Sequence, residues 1–448
     1  METSPTPPPP PRRHDLDNLR TFLIVFVAIH HTSIAYGGHG GWPFHSSCFH
    51  SDLTPVILPF EAVAQSCGMG LFFWISGRMS AHSLSHTTAS KFVKRKLLRL
   101  GLPTVFYTVF VNPLVCAWTL ERWDWETAWG ELLQYWTDIR GVRGVVWYTA
   151  VLLVLDSCTA LVVSITHRRR IALKDSSSSK YDWHRHFYRA LSIWGWLLVA
   201  TVSFFVRIWC PVGTNVEPLS VQPAYLTQYI FAYTLGFLSL QQGEERFTGP
   251  FDSQHTPSTS NLPADTDTEA EGQHIPTKVE ETRTALPLRR ALVISFLTLN
   301  LCAIIPKLWA HVSGNPINHA DDTGKGGLNA SALTYAFWNE FSFIVLGPSV
   351  MHHFGRFHNS PAKSWLWQPR FSYGAYLLHP LLSVGVEVLV DGVLCRGGRG
   401  VCAGDVWWWR LLVGPLVFTT IVGYLNAILA FVAARGLVGY VPGMKRVL

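Results

Sequence analysis

An arginine and two adjacent histidines stand in the first apolar stretch of this chain, "RTFLIVFVAIHHTSIAYGG" at 20–38. Ionisable side chains at membrane depth are costly, and those retained there mark functional sites by default. His31 follows Arg20 by eleven residues, which on a helix is about 20° from three whole turns and a rise of about 16 Å. The two side chains therefore share one face, separated by roughly half a bilayer, while His30 is turned about 100° away toward a neighbouring helix or lipid. Histidine, with a free pKa of about 6.5, suits proton transfer near neutral pH. Taken alone, Arg20 reads as a charged anchor at the mouth of the span, and His31 as a functional proton-transfer group in preference to a hydrogen-bonded packing residue.

Other residues weigh less. Ser76, in "ISGRMS", is either a nucleophile or, with Gly77, a close-packing site between helices. His379, in "YLLHPLL", reads equally as a hydrogen-bonded structural residue and as a catalytic one. Asn339 and Glu340 lie where they could orient a hydroxyl group. The stretch "HGGWPFHSSCFHSD" holds His39, His45, Cys48, His50 and Asp52, but their spacings match no metal-ligand pattern, so no metal is expected. It reads as a polar, aromatic lining at the outer mouth of the bundle.

Only 15% of the 448 residues are charged and 48% are hydrophobic, a balance that points to lipid. Ten apolar runs are long enough to cross a bilayer, near 20–36, 56–82, 98–119, 144–166, 190–210, 223–241, 288–309, 332–351, 371–393 and 409–436. The fold expected is an all-α polytopic membrane protein. With the N-terminus cytoplasmic, 26 of the lysines and arginines fall on the inside and 6 outside. That asymmetry predicts both termini cytoplasmic and assigns the basic excess to the anionic leaflet, not to nucleic acid.

The chain divides into a disordered proline-rich arm (1–19), a core of six helices (20–241), a loop rich in Ser, Thr, Pro and acids (242–288), and a core of four more (289–448). The loop is too poor in large apolar residues to fold and is expected on the cytoplasmic side. No cleavable signal peptide is expected, the first run lacking a small-residue cleavage site. Cys395 and Cys402 share an outside loop, where a disulfide and two free thiols are both open readings. The sequon "NAS" at Asn329 also falls outside, close to the next span, as a possible glycosylation site.

The opening stretch "HDLDNLRTFLIVFVAIHH" resembles that of acyltransferase family 3, integral-membrane O-acyltransferases that modify glycans and small molecules. Asp17, Leu19, Arg20 and His31 match its acidic residue, Leu-Arg pair and essential histidine. Phe72, Phe73, Ser76 and Gly77 match a second element, in which Arg78 replaces the usual aromatic. "KFVKRKLLRLGLP" matches a third at Arg99 and Pro103, with Lys96 where arginine is usual. "FSYGAYLLHPLL" is similar to a fourth, at Ser372, Tyr373, Tyr376, His379 and Pro380.

The resemblance implies an acyltransferase of groups other than aminoacyl groups, with acyl-CoA, acetyl-CoA first among them, as co-substrate and no tightly bound cofactor. The acceptor is a hydroxyl on a glycan or a small, secondary metabolite. His31 would be the general base, because a hydroxyl is a poor nucleophile until its proton is taken. Arg20, Arg95, Lys96 and Arg99 would grip the donor's phosphates from the cytoplasmic side. The location expected is an endomembrane or the plasma membrane. The rival reading is a multi-pass transporter or permease of small molecules or metal ions. It predicts ionisable residues in several central spans and paired broken helices, and the sequence shows few of either.

Overall fold

The computed structural model describes residues 13–49, 54–120, 124–173, 179–241, 253–254, 283–313, 324–394 and 408–440. Among the described residues, eleven helices carry the chain back and forth: α1 His14–Ala35, α2 Ile57–His86, α3 Ala89–Ala117, α4 Trp125–Thr137, α5 Trp147–Leu173, α6 Ser179–Trp209, α7 Pro223–Gln241, α8 Leu288–Ser313, α9 Ala330–Phe357, α10 Ser372–Leu394 and α11 Gly414–Tyr440. All but α4 correspond to the ten runs expected. Eight are long and apolar enough to cross a membrane, and the protein is an all-α, multi-pass membrane protein.

Of the ten helices that match the expected runs, the two that fall short, α7 and α9, carry polar side chains such as Gln228, Asn339 and Glu340, which neighbouring helices bury completely. The third span begins at Ala89, earlier than the apolar run, because the basic stretch before it is already helical. Of the 242–288 loop, the described residues include a two-residue ladder pairing Ser253 with Thr284 and Gln254 with Arg283. Most of that loop, residues 1–12 of the arm, and His50, Asp52, Cys395 and Cys402 lie outside the described residues.

Packing is closest where small residues let backbones meet. A Cβ on Gly77 would come 2.1 Å from the Tyr233 carbonyl oxygen, and one on Gly236 would come 2.0 Å from that of Trp74. The α2–α7 contact is therefore a glycine-for-glycine match, which gives Gly77 a structural role. The start of α1 is stapled to the connection after α9: Asn18 Nδ2 donates to the His358 and Ser360 carbonyls at 2.7 and 2.9 Å, and Thr21 Oγ1 lies 3.0 Å from Ser372 Oγ. That end of the bundle is called the near end below. At the far end, the described residues 36–49 fold back over the tops of α1, α2 and α10.

Candidate active site

His31 of α1 and His379 of α10 meet in the middle of the bundle, with His31 Nδ1 3.1 Å from His379 Nε2 and the rings stacked at 5.3 Å. His379 is 1% exposed, whereas His31 is only half-buried. His379 Nδ1 is 2.6 Å from the Tyr376 carbonyl oxygen. In an unbroken helix that carbonyl would accept from the backbone N–H four residues on, but residue 380 is proline and has none. His379 takes the vacant place.

This arrangement assigns the protons. A carbonyl only accepts, so His379 Nδ1 carries a hydrogen and, in neutral imidazole, its Nε2 does not. His379 Nε2 must then accept from His31 Nδ1–H. The lone pair of His31 is left on Nε2, which has no hydrogen-bond partner among the described residues. A base nitrogen is thus oriented by a second imidazole, itself fixed by a carbonyl that a proline has freed. His30 lies beside the pair and not in it: its ring centre is 5.9 Å from that of His31 and 6.5 Å from that of Phe60 on α2, and its Nδ1 has no partner among the described residues.

The far-end connection covers this pair. The Trp42 ring stacks on His31 at 4.4 Å, and its Nε1–H donates to Glu387 Oε2 at 2.7 Å. Glu387, two turns beyond His379 on α10, accepts at Oε1 from Thr32 Oγ1 at 3.0 Å and Asn426 Nδ2 at 3.2 Å. One turn further, Asp391 accepts from the Ser46 and Ser47 hydroxyls at 2.6 and 2.8 Å. Glu61 of α2 accepts from Ser33 Oγ at 2.9 Å and from the His39 backbone N–H at 2.6 Å. The His39 imidazole is held below its ordinary pKa by partial burial and then by the nearby Lys325 charge. Cys48 is disulfide-bonded. The connection is therefore a fastened cover. Among the described residues, no three of His, Cys, Asp and Glu gather as a metal site.

The motif residues at the near end are brought into one neighbourhood. Arg20 is half-buried and within electrostatic range of the Tyr148 phenol, which also lies 2.7 Å from Ser76 Oγ. Tyr148 packs edge-on to Tyr376, whose hydroxyl donates to the Val145 carbonyl, and Tyr376 precedes His379 by one turn. Ser76 is thus engaged by a tyrosine and not by either histidine. Arg95 and Arg99 are exposed; the Arg99 carbonyl accepts from Tyr373 Oη at 3.0 Å. Lys96 is differently placed: its ammonium lies 2.8 Å from Asp156 Oδ2 and 3.1 Å from Ser80 Oγ. Asp17 is half-buried in the first turn of α1, where its charge suits the helix dipole. Arg78 donates to Ser239 Oγ at 3.0 Å and caps the Trp74 ring. Asn329 is the N-cap of α9, Oδ1 accepting from Ala332 N–H at 2.7 Å and Nδ2 donating to the Gly326 carbonyl at 2.9 Å, so a glycan on Nδ2 would compete with the cap.

The sequence reading passes over Trp42, Glu61, Asp156, Glu387, Asp391 and Asn426. Glu387 and Asp391 were accessible to it, since His379, Glu387 and Asp391 recur at multiples of four within one apolar run and so share a helix face. The expectation of few ionisable residues in the central spans is corrected, because Glu61, Asp156, Arg207, Glu340, Glu387 and Asp391 are all buried. Most of them hold the cover or bind one helix to another.

The sequence model of a family described as "acyltransferase domain" matches residues 13–435, nearly the whole chain. Comparison with curated proteins and with solved structures gives no match.

Proposed function

The chain belongs to acyltransferase family 3, and on that premise we propose that it moves an acyl group, acetyl first, from acyl-CoA to a hydroxyl of a glycan or small metabolite, with His31 as general base. One observation carries this reading: His31 Nε2 is left as the unpaired nitrogen of a histidine pair whose proton positions follow from the Tyr376 carbonyl.

In the proposed reaction the acceptor oxygen attacks the thioester carbonyl carbon while His31 Nε2 takes the hydroxyl proton. The imidazolium so formed keeps its Nδ1–H on His379 Nε2, which as an acceptor favours the charged form. Collapse of the tetrahedral intermediate breaks the carbon–sulfur bond, and the departing thiolate takes the proton back from Nε2. The products are an ester and free CoA. Trp42 would cover the histidine and exclude water, which otherwise competes with the acceptor for the acyl group. Arg20 at the mouth of α1, with the exposed Arg95 and Arg99, would bind the donor phosphates from the near end. That end is cytoplasmic by the positive-inside asymmetry.

The test is mass spectrometry of metabolites and surface glycans from cells that lack the protein, overproduce it, or overproduce His31→Ala. A compound heavier by one acyl unit with the wild type alone names donor and acceptor together. If no acylated product depends on the protein, the transferase reading of this chain fails.

A further inference from the structure

A second set of buried polar groups lies away from the histidine pair. Arg207, in the last turn of α6, is 0% exposed, and none of its Nε, Nη1 or Nη2 atoms has a hydrogen-bond partner among the described residues. Its guanidinium sits 5.3 Å from the ring centre of Tyr225 on α7 and 5.1 Å from that of Tyr335 on α9. Glu340 and Asn339 of α9 and Gln228 of α7, each also 0% exposed, close the group, with Arg207 in electrostatic range of Glu340. Asn339 Nδ2 donates to Glu340 Oε1 at 2.9 Å and Gln228 Nε2 to the Ser66 carbonyl at 3.1 Å. Glu340 Oε2, Asn339 Oδ1 and Gln228 Oε1 have no partner among the described residues.

A buried guanidinium without hydrogen bonds is expensive even with a carboxylate in electrostatic range, and a buried carboxylate oxygen without a hydrogen bond hardly less so. Helix packing alone does not explain why both occur together. The unmet groups are of two kinds: the N–H groups of Arg207 require acceptors, and three oxygens of the same cluster require donors. An anion would serve the first and repel the second. A hydroxyl group both donates and accepts, and adjacent hydroxyls on one carbon framework serve both kinds at once. The aromatic rings beside the guanidinium offer flat apolar faces for the carbon side of such a framework.

We propose that this cluster is a binding site for an uncharged, polyhydroxylated ligand, sugar-like or polyol-like, distinct from the histidine pair. The separation is visible in the packing. From Tyr229, which accepts from Gln65 Nε2 at 3.2 Å beside the cluster, the route to His379 passes through the stacked, edge-on and tilted ring contacts of Phe73, Tyr148 and Tyr376. Arg207 holds the ligand's acceptors, and Glu340, Asn339 and Gln228 hold its hydroxyl hydrogens.

The site is tested on the purified full-length protein by thermal unfolding and intrinsic fluorescence, with hexoses, pentoses, inositol and glycerol as probes and inorganic phosphate and acetate as the anionic comparison. At least one polyhydroxylated probe should bind the wild type, and none of the anions at that site. Arg207→Lys keeps the charge but loses the planar fork, and should raise that probe's Kd about ten- to a hundredfold, the scale of a lost hydrogen bond to a charged group. Asn339→Leu should weaken it as well. Because Arg207→Lys can fail to fold, Asn339→Leu and Gln228→Leu provide independent readouts. The proposal is overturned if no probe binds, if phosphate or acetate binds in a manner lost with Arg207→Lys, or if probe binding is unaffected in all three variants. In the first case the cluster holds only water.

Discussion

The lysine in the basic stretch, expected from the sequence to grip the donor's phosphates, is engaged inside the bundle instead. Lys96 is joined to Asp156, whose Oδ1 also accepts from Ser80 Oγ at 2.6 Å and Tyr233 Oη at 2.7 Å. Asp156 is 0% exposed, so the ammonium is its counter-charge, and removing it strands a carboxylate inside the bundle. Breaking a buried pair from one side costs about 3–5 kcal/mol. Lys96→Met should therefore lower the thermal midpoint and the yield of folded protein markedly, while Arg95→Met, on an exposed side chain, should leave both near wild type. Unfolding scans in detergent decide this. A Lys96→Met protein as stable as wild type but with weakened acyl-CoA binding would return Lys96 to the donor site.

At the scale of elements, four prolines inside helices act alike. Each withholds the N–H that the carbonyl four residues earlier would take, and another side chain fills the vacancy. Pro103 frees Arg99 O for Tyr373 Oη, Pro113 frees Val109 O for Trp136 Nε1, Pro306 frees Cys302 O for Thr334 Oγ1, and Pro380 frees Tyr376 O for His379 Nδ1. The first three join different helices, and the fourth sets a tautomer. Pro380→Ala restores a competing N–H and removes the penalty of a helical proline, about 3 kcal/mol at most. The variant should be at least as stable as wild type, yet turn over about tenfold more slowly at unchanged acyl-CoA KM, because His379 is then free to present the wrong nitrogen. Steady-state kinetics beside an unfolding scan provide the check; an unchanged kcat would show that the carbonyl contact does not matter. The positions of these prolines were plain in the sequence. Their consequences were not, since three of the four partners lie on another element, and the helix period that reveals a span says nothing about which neighbour completes it.

Across the whole molecule, the candidate site joins residues 348 positions apart, His31 near the start and His379 near the end. The sequence made the spans legible because crossing lipid imposes a length and an apolar composition that local reading detects. It also placed Arg20 and His31 on one face, because that depends on a single helix. It left His379 open between structural and catalytic roles, and passed over Glu387 and Trp42, because their meaning comes from contacts between α1, α10 and the far-end cover. The central claim is that this long-range pairing makes His31 Nε2 the base. The most direct measurement is acyl transfer by purified His31→Ala and His30→Ala beside wild type, across pH, with acyl-CoA binding as the control for folding. His31→Ala should lose about two to four orders of magnitude in kcat, the scale of general-base catalysis, with donor binding retained. His30→Ala should stay within a few-fold of wild type. Wild-type activity should fall on the acid side, where the pair takes up a proton and the lone pair is lost. Near-normal turnover by His31→Ala, or its abolition by His30→Ala alone, would contradict the account.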